Sequence, residues 1–273
     1  MSETCTHNCS TCSAECAERK EKFDFTAPVN ASSRIGKVIA VASGKGGVGK
    51  SFVTTALAVA ASRMGLRTGI LDADITGPSI PNAFGLKTGT VQSEAGLEPS
   101  VTDGGIRVMS LNMLVQDPSD PVVWRGPVLA GAVKQFWTDV HWGELDVMFV
   151  DMPPGTGDVP LTVYQSLPVD GVVIVSSPQK LVEMIVGKSV KMAQMMEKKV
   201  LGLVENMSYF MCPACAAKHE LFGPSRAEEL AGRFGIPQVV RLPIAPDYVQ
   251  AVDAGAAETL SVPEIDAFVK TLI

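Results

Sequence analysis

Eight consecutive residues near the start of the chain constrain its fold more than any other feature. They satisfy the pattern G-x-x-x-x-G-K-[ST] and are Gly44, Lys45, Gly46, Gly47, Val48, Gly49, Lys50 and Ser51. The apolar run Lys37–Ala42 precedes them, and the apolar, helix-like segment Phe52–Met64 follows. A glycine loop between a strand and a helix is the setting in which this pattern binds phosphate. We therefore predict a nucleotide-binding α/β fold, with a plain glycine turn as the alternative.

Each residue type in this loop suits the binding of ATP with Mg²⁺. Glycines allow a tight turn that directs several backbone N–H groups at phosphate oxygens. The helix that begins near Lys50 adds the positive end of its dipole to the same anion. Lys50 places a positive charge beside the β- and γ-phosphates, and the Ser51 hydroxyl is a ligand for Mg²⁺. We expect all eight residues to contact the nucleotide or its metal.

Short apolar runs separated by helical segments extend over the rest of the chain. The runs are Lys37–Ala42, Thr68–Leu71, Ile106–Leu111, Val147–Val150, Val172–Val175, Val200–Glu205 and Val239–Leu242. Helical patterns at Thr54–Met64, Pro127–Trp137 and Leu181–Lys198 lie between several of them. Continuous runs rich in Val and Ile are typical of strands buried on both faces of a parallel sheet. The sequence predicts a doubly wound, mostly parallel α/β sheet that binds ligands at the carboxyl ends of its strands.

Three aspartates follow predicted strands and are candidates for the metal side of the nucleotide site. Asp151 comes directly after Val147–Val150 and is placed to hold Mg²⁺ directly or through water. Asp72 and Asp74 follow Thr68–Leu71, where carboxylates orient a water molecule or bind hydrated Mg²⁺. Two alternatives stay open: a strand-end turn without nucleotide contact at Asp151, and capping of the next turn by Asp72 or Asp74.

Charge and composition limit the kinds of binding partner and the cellular compartment that we expect for this chain. The net charge is −6 and no basic run is present, which argues against nucleic-acid binding. No apolar stretch approaches the roughly 20 residues needed to span a bilayer. Residues 1–19 lack the apolar core of a secretory signal. We therefore expect a cytoplasmic protein without a membrane partner, in a compartment where cysteines bind metal or act in redox chemistry.

The six cysteines fall into two groups. Cys5, Cys9, Cys12 and Cys16 lie in an N-terminal segment with little capacity to form a core. We assign residues 1–33 to this Cys-rich extension and linker, and residues 34–273 to the main domain. Four thiolates within so short a segment can fold around one metal centre, either an iron–sulfur cluster or Zn²⁺.

The second group, Cys212 and Cys215, forms a C-x-x-C motif and supplies half of a tetrahedral site. Two copies of the motif across a twofold axis would supply four sulfurs. Four thiolates suit Zn²⁺ or [4Fe–4S], and the spacing does not separate the two. A thiol–disulfide redox pair is a further alternative.

The second lysine of the loop, Lys45, makes it a deviant Walker A sequence. The chain resembles the P-loop ATPases that include MinD, ParA and the nitrogenase iron protein, and within them the Mrp/ApbC type of iron–sulfur cluster carrier. The supporting residues are Ser43–Ser51, Asp72–Pro81, Trp124–Pro127, Val150–Asp158, Glu205–Ser208, Cys212–Cys215, Phe222–Gly223 and Leu242–Ile244.

This resemblance implies roles for individual residues. Lys45 would reach the ATP phosphates of the opposite subunit in a homodimer, and Asp74 would position the attacking water. Together with Lys50 they are the catalytic residues that the resemblance implies. Asn206 would read the adenine edge, with Leu242–Ile244 lining the base pocket.

The resemblance also selects among the metals and functions. It favours a [4Fe–4S] cluster that Cys212 and Cys215 hold between two subunits. The implied function is an ATP-hydrolysing carrier or scaffold that receives clusters with the help of assembly factors and transfers them to apoproteins, with slow turnover. The alternatives are a MinD/ParA-like positioning ATPase and an ATP-dependent reductase like the nitrogenase iron protein.

Overall fold

The structure, a computed structural model, describes residues 24–74, 79–87, 89–113, 126–179 and 182–273. Its strands are β1 (Arg34–Ser43), β2 (Thr68–Asp72), β3 (Val91–Ser93), β4 (Gly96–Glu98), β5 (Ser100–Val101), β6 (Arg107–Ser110), β7 (Glu144–Asp151), β8 (Gly171–Ser176), β9 (Val200–Met211), β10 (Lys218–His219) and β11 (Val239–Ile244). Its α-helices are α1 (Lys50–Arg63), α2 (Ser79–Ala83), α3 (Gly126–Thr138), α4 (Asp158–Ser166), α5 (Val182–Met195), α6 (Ala227–Phe234), α7 (Pro246–Asp253) and α8 (Pro263–Leu272).

The main sheet has the order β10-β9-β8-β1-β7-β2-β6-β5, and β11 also pairs with β9. The pairs are parallel except for β5 with β6 and β10 with β9, which lie at the two edges. The glycine loop leaves β1, in the middle of this sheet. Helices cover both faces, so the doubly wound, mostly parallel α/β fold predicted from the sequence is confirmed.

Alternate residues of the central strands face two separate apolar cores. Every residue of β2 and of β8 is buried. On one face Met148 belongs to a core that includes Val163 of α4 and Val190 of α5, and on the other Phe149 belongs to a core that includes Leu57 of α1 and Phe268 of α8. Burial on both faces explains why these strands lack the polar alternation of a half-exposed sheet.

The strand that differs most from its prediction is β9. The apolar run Val200–Glu205 predicts a strand that stops at Glu205, yet β9 continues to Met211. Burial falls along its later residues, from buried Asn206 and Ser208 to exposed Met211, and this part of β9 pairs with β10 and β11. A strand predicted from a continuous apolar run alone therefore ends too early, as it does here.

Two other element ends differ from the sequence prediction. The helix predicted over Leu181–Lys198 ends at Met195, because Glu197 adopts a left-handed backbone conformation with φ of 55°. Leu111 belongs to a 3₁₀ turn that follows β6 rather than to the strand.

The segment before β1 contacts the main domain. The backbone N–H of Ala27 donates to the carbonyl of Ser166, and the indole of Trp137 donates to the carbonyl of Ala27 at 2.9 Å. Cys5, Cys9, Cys12 and Cys16 lie outside the described residues, and the division at residues 33 and 34 stays a prediction. Among the helices that are described, none has the length and apolarity needed to cross a lipid bilayer.

Candidate functional site

The glycine loop joins β1 to α1 at the centre of the sheet. Gly47 and Gly49 have φ of 78° and 80°, in the left-handed region where a side chain is strained. The hydroxyl of Ser43, the last residue of β1, donates to the carbonyl of Lys45 at 3.0 Å. This hydrogen bond connects the end of the strand to the start of the loop. The loop then enters α1 at Lys50, so the amino end of the helix faces the turn as the sequence predicts.

The side chain of Asn206 packs directly on this loop. Its amide donates to the carbonyl of Val48 at 3.0 Å. A Cβ atom added to Gly49 would lie 2.2 Å from the Asn206 Nδ2 atom, so only glycine leaves room for this contact. Asn206 and the loop therefore form one packed unit.

The predicted strand Val200–Glu205 would place Asn206 just after a strand end, and this placement is wrong. Asn206 lies within β9, at an irregularity in the pairing with β11. Between the pairs Glu205–Arg241 and Tyr209–Pro243, β9 uses four steps where β11 uses two. Met207 in this bulge has φ of 56°. The bulge redirects the strand, which is how it places Asn206 against the loop.

Lys50 lies at the centre of a buried group of charges. Its Nζ atom is 2.7 Å from Oδ2 of Asp151 and 3.1 Å from Oδ2 of Asp74. The Asp151 carboxylate also accepts from the hydroxyls of Ser51 and Thr54, each at 2.6 Å. Asp151 is fully buried and Lys50 is 5% exposed. Burial alone would lower the pKa of Lys50, but the neighbouring Asp151 and Asp74 outweigh it and raise the pKa.

Asp72 extends this group across the sheet. It lies between Ser110 of β6 and Asp151 of β7 in register, and it accepts from the Ser110 hydroxyl at 2.8 Å and from the Asp74 N–H at 3.0 Å. Complete burial, and then the proximity of Asp151, raise the pKa of Asp72 well above its ordinary value. Three carboxyl groups thus surround one lysine at the carboxyl ends of adjacent strands.

A cavity of about 420 Å³ opens beside the loop. The rings of Phe52 and Tyr248 stack with centroids 5.6 Å apart at one part of its wall. Asn206, Pro243 and Ile244 also line it, whereas Leu242 is fully buried in the core and does not. The cavity therefore has mostly apolar and aromatic walls, with the Asn206 amide and the Asp253 carboxylate among the lining groups, a combination suited to a planar base with polar edges.

The second lysine of the loop points away from this group. Lys45 Nζ donates to Oε1 of Gln179, which follows β8 in the same chain. Contact between Lys45 and a second subunit stays a prediction.

Cys212 and Cys215 occupy the turn between β9 and β10. The N–H of Cys212 donates to the carbonyl of Ala217 at 2.9 Å, and the N–H of Ala216 donates to the carbonyl of Cys212 at 2.8 Å. The Cys212 sulfur accepts from the N–H groups of Ala214 and Cys215 and from the Cys215 thiol, and these contacts lower the pKa of Cys212. The turn thus stabilises a thiolate.

Neither site holds a complete set of metal ligands by itself. Within the described part of the chain, no three or more His, Cys, Asp or Glu side chains are arranged to hold a metal ion. Cys215 is exposed and Cys212 is half-buried.

Four residues of these sites were not predicted from the sequence. Thr54 lies one turn after Lys50 on α1, so helical spacing was a usable signal for it. Ser110 ends β6, and the rule that sites form at the carboxyl ends of strands applies to it as well. Phe52 and Tyr248 are far apart in sequence, and no local pattern indicates that they meet.

Comparisons with known proteins agree with this geometry. Residues 34–271 match the ParA family model, described as NUBPL iron-transfer P-loop NTPase. An iron-sulfur cluster carrier protein of Methanocaldococcus jannaschii is 45% identical over 225 residues, which cover 82% of this chain and 78% of that one.

Solved structures share the fold. A nucleotide-binding protein from Archaeoglobus fulgidus in complex with ADP is 45% identical, with a TM-score of 0.75 over 84% of this chain and 90% of that chain. The septum site-determining protein MinD from Pyrococcus horikoshii is 18% identical, with a TM-score of 0.60 over 87% of this chain and 94% of that chain. The chain therefore belongs to the NUBPL iron-transfer family of P-loop NTPases.

Proposed function

We propose that the protein is an ATP-hydrolysing carrier of iron–sulfur clusters that works in the cytoplasm as a homodimer. It binds ATP with Mg²⁺ at the glycine loop and holds a [4Fe–4S] cluster between the Cys212 and Cys215 pairs of two subunits. The observation that carries this proposal is the exposed cysteine turn, whose backbone amides favour a thiolate, on the sheet that also carries the P-loop.

The charges around Lys50 fit a nucleotide with a divalent cation. Asp74 and Asp151 both contact the single lysine, and the raised pKa of Asp72 reflects its burial and the proximity of Asp151, so a cation would relieve the crowding of carboxyl groups. The Ser51 hydroxyl and the Asp151 carboxylate, 2.6 Å apart, are the hard oxygen ligands that Mg²⁺ prefers. Bound Mg²⁺ would neutralise charge on the phosphates.

The chain's own groups would bind and orient the triphosphate. The loop amides and the amino end of α1 hold the phosphate oxygens, and Lys50 exchanges part of its contact with Asp151 for the β- and γ-phosphates. Asp74, 15% exposed and 3.1 Å from Lys50, is placed to orient the attacking water. The cavity lined by Phe52 and Tyr248 would receive the base, with Asn206 at its edge.

The cysteine hairpin would bind its cluster together with the same hairpin of a second subunit. One subunit offers two sulfurs, so a second copy related by a twofold axis completes the four thiolates of a [4Fe–4S] cluster. Nucleotide binding at the loop would bias the geometry of the dimer, with Lys45 leaving Gln179 to contact the phosphates of the opposite subunit. The dimer geometry then determines whether the cluster is retained or passed to an apoprotein, because only differential affinity for two states shifts an equilibrium.

Anaerobic reconstitution with iron and sulfide tests the cysteine part of the proposal. We expect about four iron and four sulfide ions per dimer at the hairpin. The chain without residues 1–20 should retain this cluster, and Cys212→Ala/Cys215→Ala in that background should lose it. The deletion alone also reports whether Cys5, Cys9, Cys12 and Cys16 hold a second cluster. An unchanged iron count in the double variant contradicts the bridging site, and tightly bound zinc in place of iron favours the structural alternative.

Hydrolysis assays test the nucleotide part. Lys50→Ala should abolish ATP binding or turnover because it removes the charge beside the phosphates. Lys45→Ala should leave nucleotide binding by the monomer intact but slow turnover in the dimer. Normal hydrolysis by Lys45→Ala would contradict the contact across subunits.

A further inference from the structure

A chain of polar contacts joins the nucleotide cavity to the cysteine hairpin. Ser208 donates to Oε2 of Glu205 at 2.6 Å, and Arg241 Nε donates to the Ser208 hydroxyl at 2.8 Å. The same guanidinium donates through Nη2 to Oε1 of Glu220 at 2.8 Å. The planar guanidinium of Arg241 therefore contacts both Ser208 in β9 and Glu220 after β10.

One end of this chain lies in the bulge of β9. Glu205 and Ser208 are 3% and 0% exposed and flank Asn206 and Met207, which line the cavity beside the loop. Because Asn206 is part of this bulge, a movement of Asn206 towards or away from a bound base also moves the backbone of the bulge. Its two flanking side chains are bound to each other and to Arg241, so such a movement strains their contacts.

The other end lies at the base of the cysteine hairpin. Lys218 and His219 of β10 pair with Met211 and Phe210 of β9, and Glu220 follows β10 directly. The turn with the cysteines projects beyond these two pairs. Holding Glu220 therefore fixes the returning arm of the hairpin relative to β11, which carries Arg241.

The energetics favour a specific role for this bridge over a general contribution to folding. The Arg241–Glu220 pair is 28% and 36% exposed, so solvent screens it and its net contribution to stability is small. Its geometry is nevertheless well defined, because the planar guanidinium contacts Ser208 with one nitrogen and Glu220 with another.

We propose that Arg241 is a positioning residue that couples nucleotide occupancy of the cavity to the conformation of the Cys212–Cys215 hairpin. A nucleotide that contacts Asn206 shifts the bulge, Ser208 and Glu205 move with it, and Arg241 carries the change to Glu220. The inference rests on the proposed function, since it assumes that the cavity binds a nucleotide and that the hairpin is the second site.

Amide hydrogen exchange of the metal-free, full-length protein tests the coupling without any metal. The peptide that spans the hairpin reports the amides of Cys212 and Ala216, which are hydrogen-bonded within the turn. We expect Mg²⁺-ADP to change their exchange rate at least about fivefold, the lower end of typical coupling between sites. Glu220→Gln should reduce this change below about twofold while the Kd for ADP stays within about twofold.

Two further variants make the result specific. Arg241→Met should remove the response in the same way, and the double variant Arg241→Met/Glu220→Gln should add nothing to either single change. Glu229→Gln on α6 is the matched control, because it also removes one exposed ion pair, the pair with Arg226 just before that helix, and leaves the bridge intact. It should keep the wild-type response.

The outcomes separate the coupling from the proposed function. If Glu220→Gln and Arg241→Met show the same exchange response as the wild type, the coupling is wrong. It is also wrong if bound ADP leaves the exchange rate of the wild-type hairpin unchanged. A wild-type chain that binds no ADP overturns both proposals. A chain that shows the predicted exchange behaviour but assembles no cluster overturns only the carrier function.

Discussion

The loop after β1 and the hairpin after β9 both collect groups that bind charged ligands, yet they are built in opposite ways. The loop lies in the middle of the sheet, where Lys50 and Asp151 are buried and satisfy each other. The hairpin lies at the sheet edge, with Cys215 exposed and with backbone amides as the main partners of the Cys212 sulfur.

This difference indicates how each site relates to the stability of the fold. The buried charges depend on one another, because removal of Asp151 leaves Lys50 with Asp74 as its remaining partner and takes the charged acceptor away from the Ser51 hydroxyl. The two thiols, one half-buried and one exposed, lie outside the two apolar cores. We therefore expect the loop to be part of the folded core, and the hairpin to be an accessory to it that tolerates substitution.

The largest expected effect is on the free energy of unfolding after truncation in each region. Asp151→Ala removes the partner of Lys50, Ser51 and Thr54 and should destabilise the metal-free, nucleotide-free protein by about 3–5 kcal/mol. Cys212→Ala/Cys215→Ala should change it by no more than about 0.5 kcal/mol. Urea unfolding of the variants and the wild type measures both. Equal effects in the two regions would break the distinction between core and accessory.

A smaller effect separates backbone strain from side-chain packing within the loop itself. Gly47 and Gly49 both have positive φ, but a Cβ on Gly47 would meet nothing within 4 Å, whereas one on Gly49 would collide with Asn206. Gly47→Ala should cost about 1–2 kcal/mol of stability from strain alone. Gly49→Ala should cost about 1 kcal/mol more, since the hydrogen bond from Asn206 to Val48 is lost.

The control for this pair is Asn206→Ala. In that background the collision is gone, so Gly49→Ala and Gly47→Ala should become equivalent within about 0.5 kcal/mol in thermal or urea unfolding. A difference that persists without the Asn206 side chain would show that Asn206 is not what the loop packs against.

The same contrast explains how much could be predicted from the sequence. The loop, the strands and the aspartates could be predicted because each has a local sequence pattern: a glycine motif, apolar runs, and carboxyl groups just after a strand. Lys50, Asp74 and Asp151 accordingly converge in the structure. Thr54 and Ser110 follow the same local rules, so they too could have been predicted from the sequence.

The remaining features depend on contacts between distant parts of the chain. The bulge that carries Asn206 exists because β9 pairs with β11, some 35 residues later, in a shifted register, and a single strand gives no sign of that shift. The extension of β9 to Met211 likewise depends on pairing with β10. The bridge through Arg241 combines both and has no sequence signal of its own.

The smallest predicted effect concerns the ionisation of Cys212 in the accessory hairpin. In the metal-free protein the hydrogen bonds from Ala214 and Cys215 favour the thiolate, so the pKa of Cys212 is lower than that of an ordinary cysteine. Its rate of alkylation by iodoacetamide should therefore rise with pH through a midpoint below that of an ordinary cysteine. Mass spectrometry of the hairpin peptide measures the rate at each pH.

The same chain unfolded in concentrated urea is the control, because unfolding removes the turn that directs the amides at sulfur. The midpoint for Cys212 should then move up to the ordinary value. A pKa that is lower in the folded state implies that any stabilisation is present above the unfolded-state pKa and is lost as the pH falls through the folded-state pKa. Identical midpoints in the two states would mean that the turn does not prepare Cys212 for metal, and the hairpin would then have to acquire its thiolate from the metal itself.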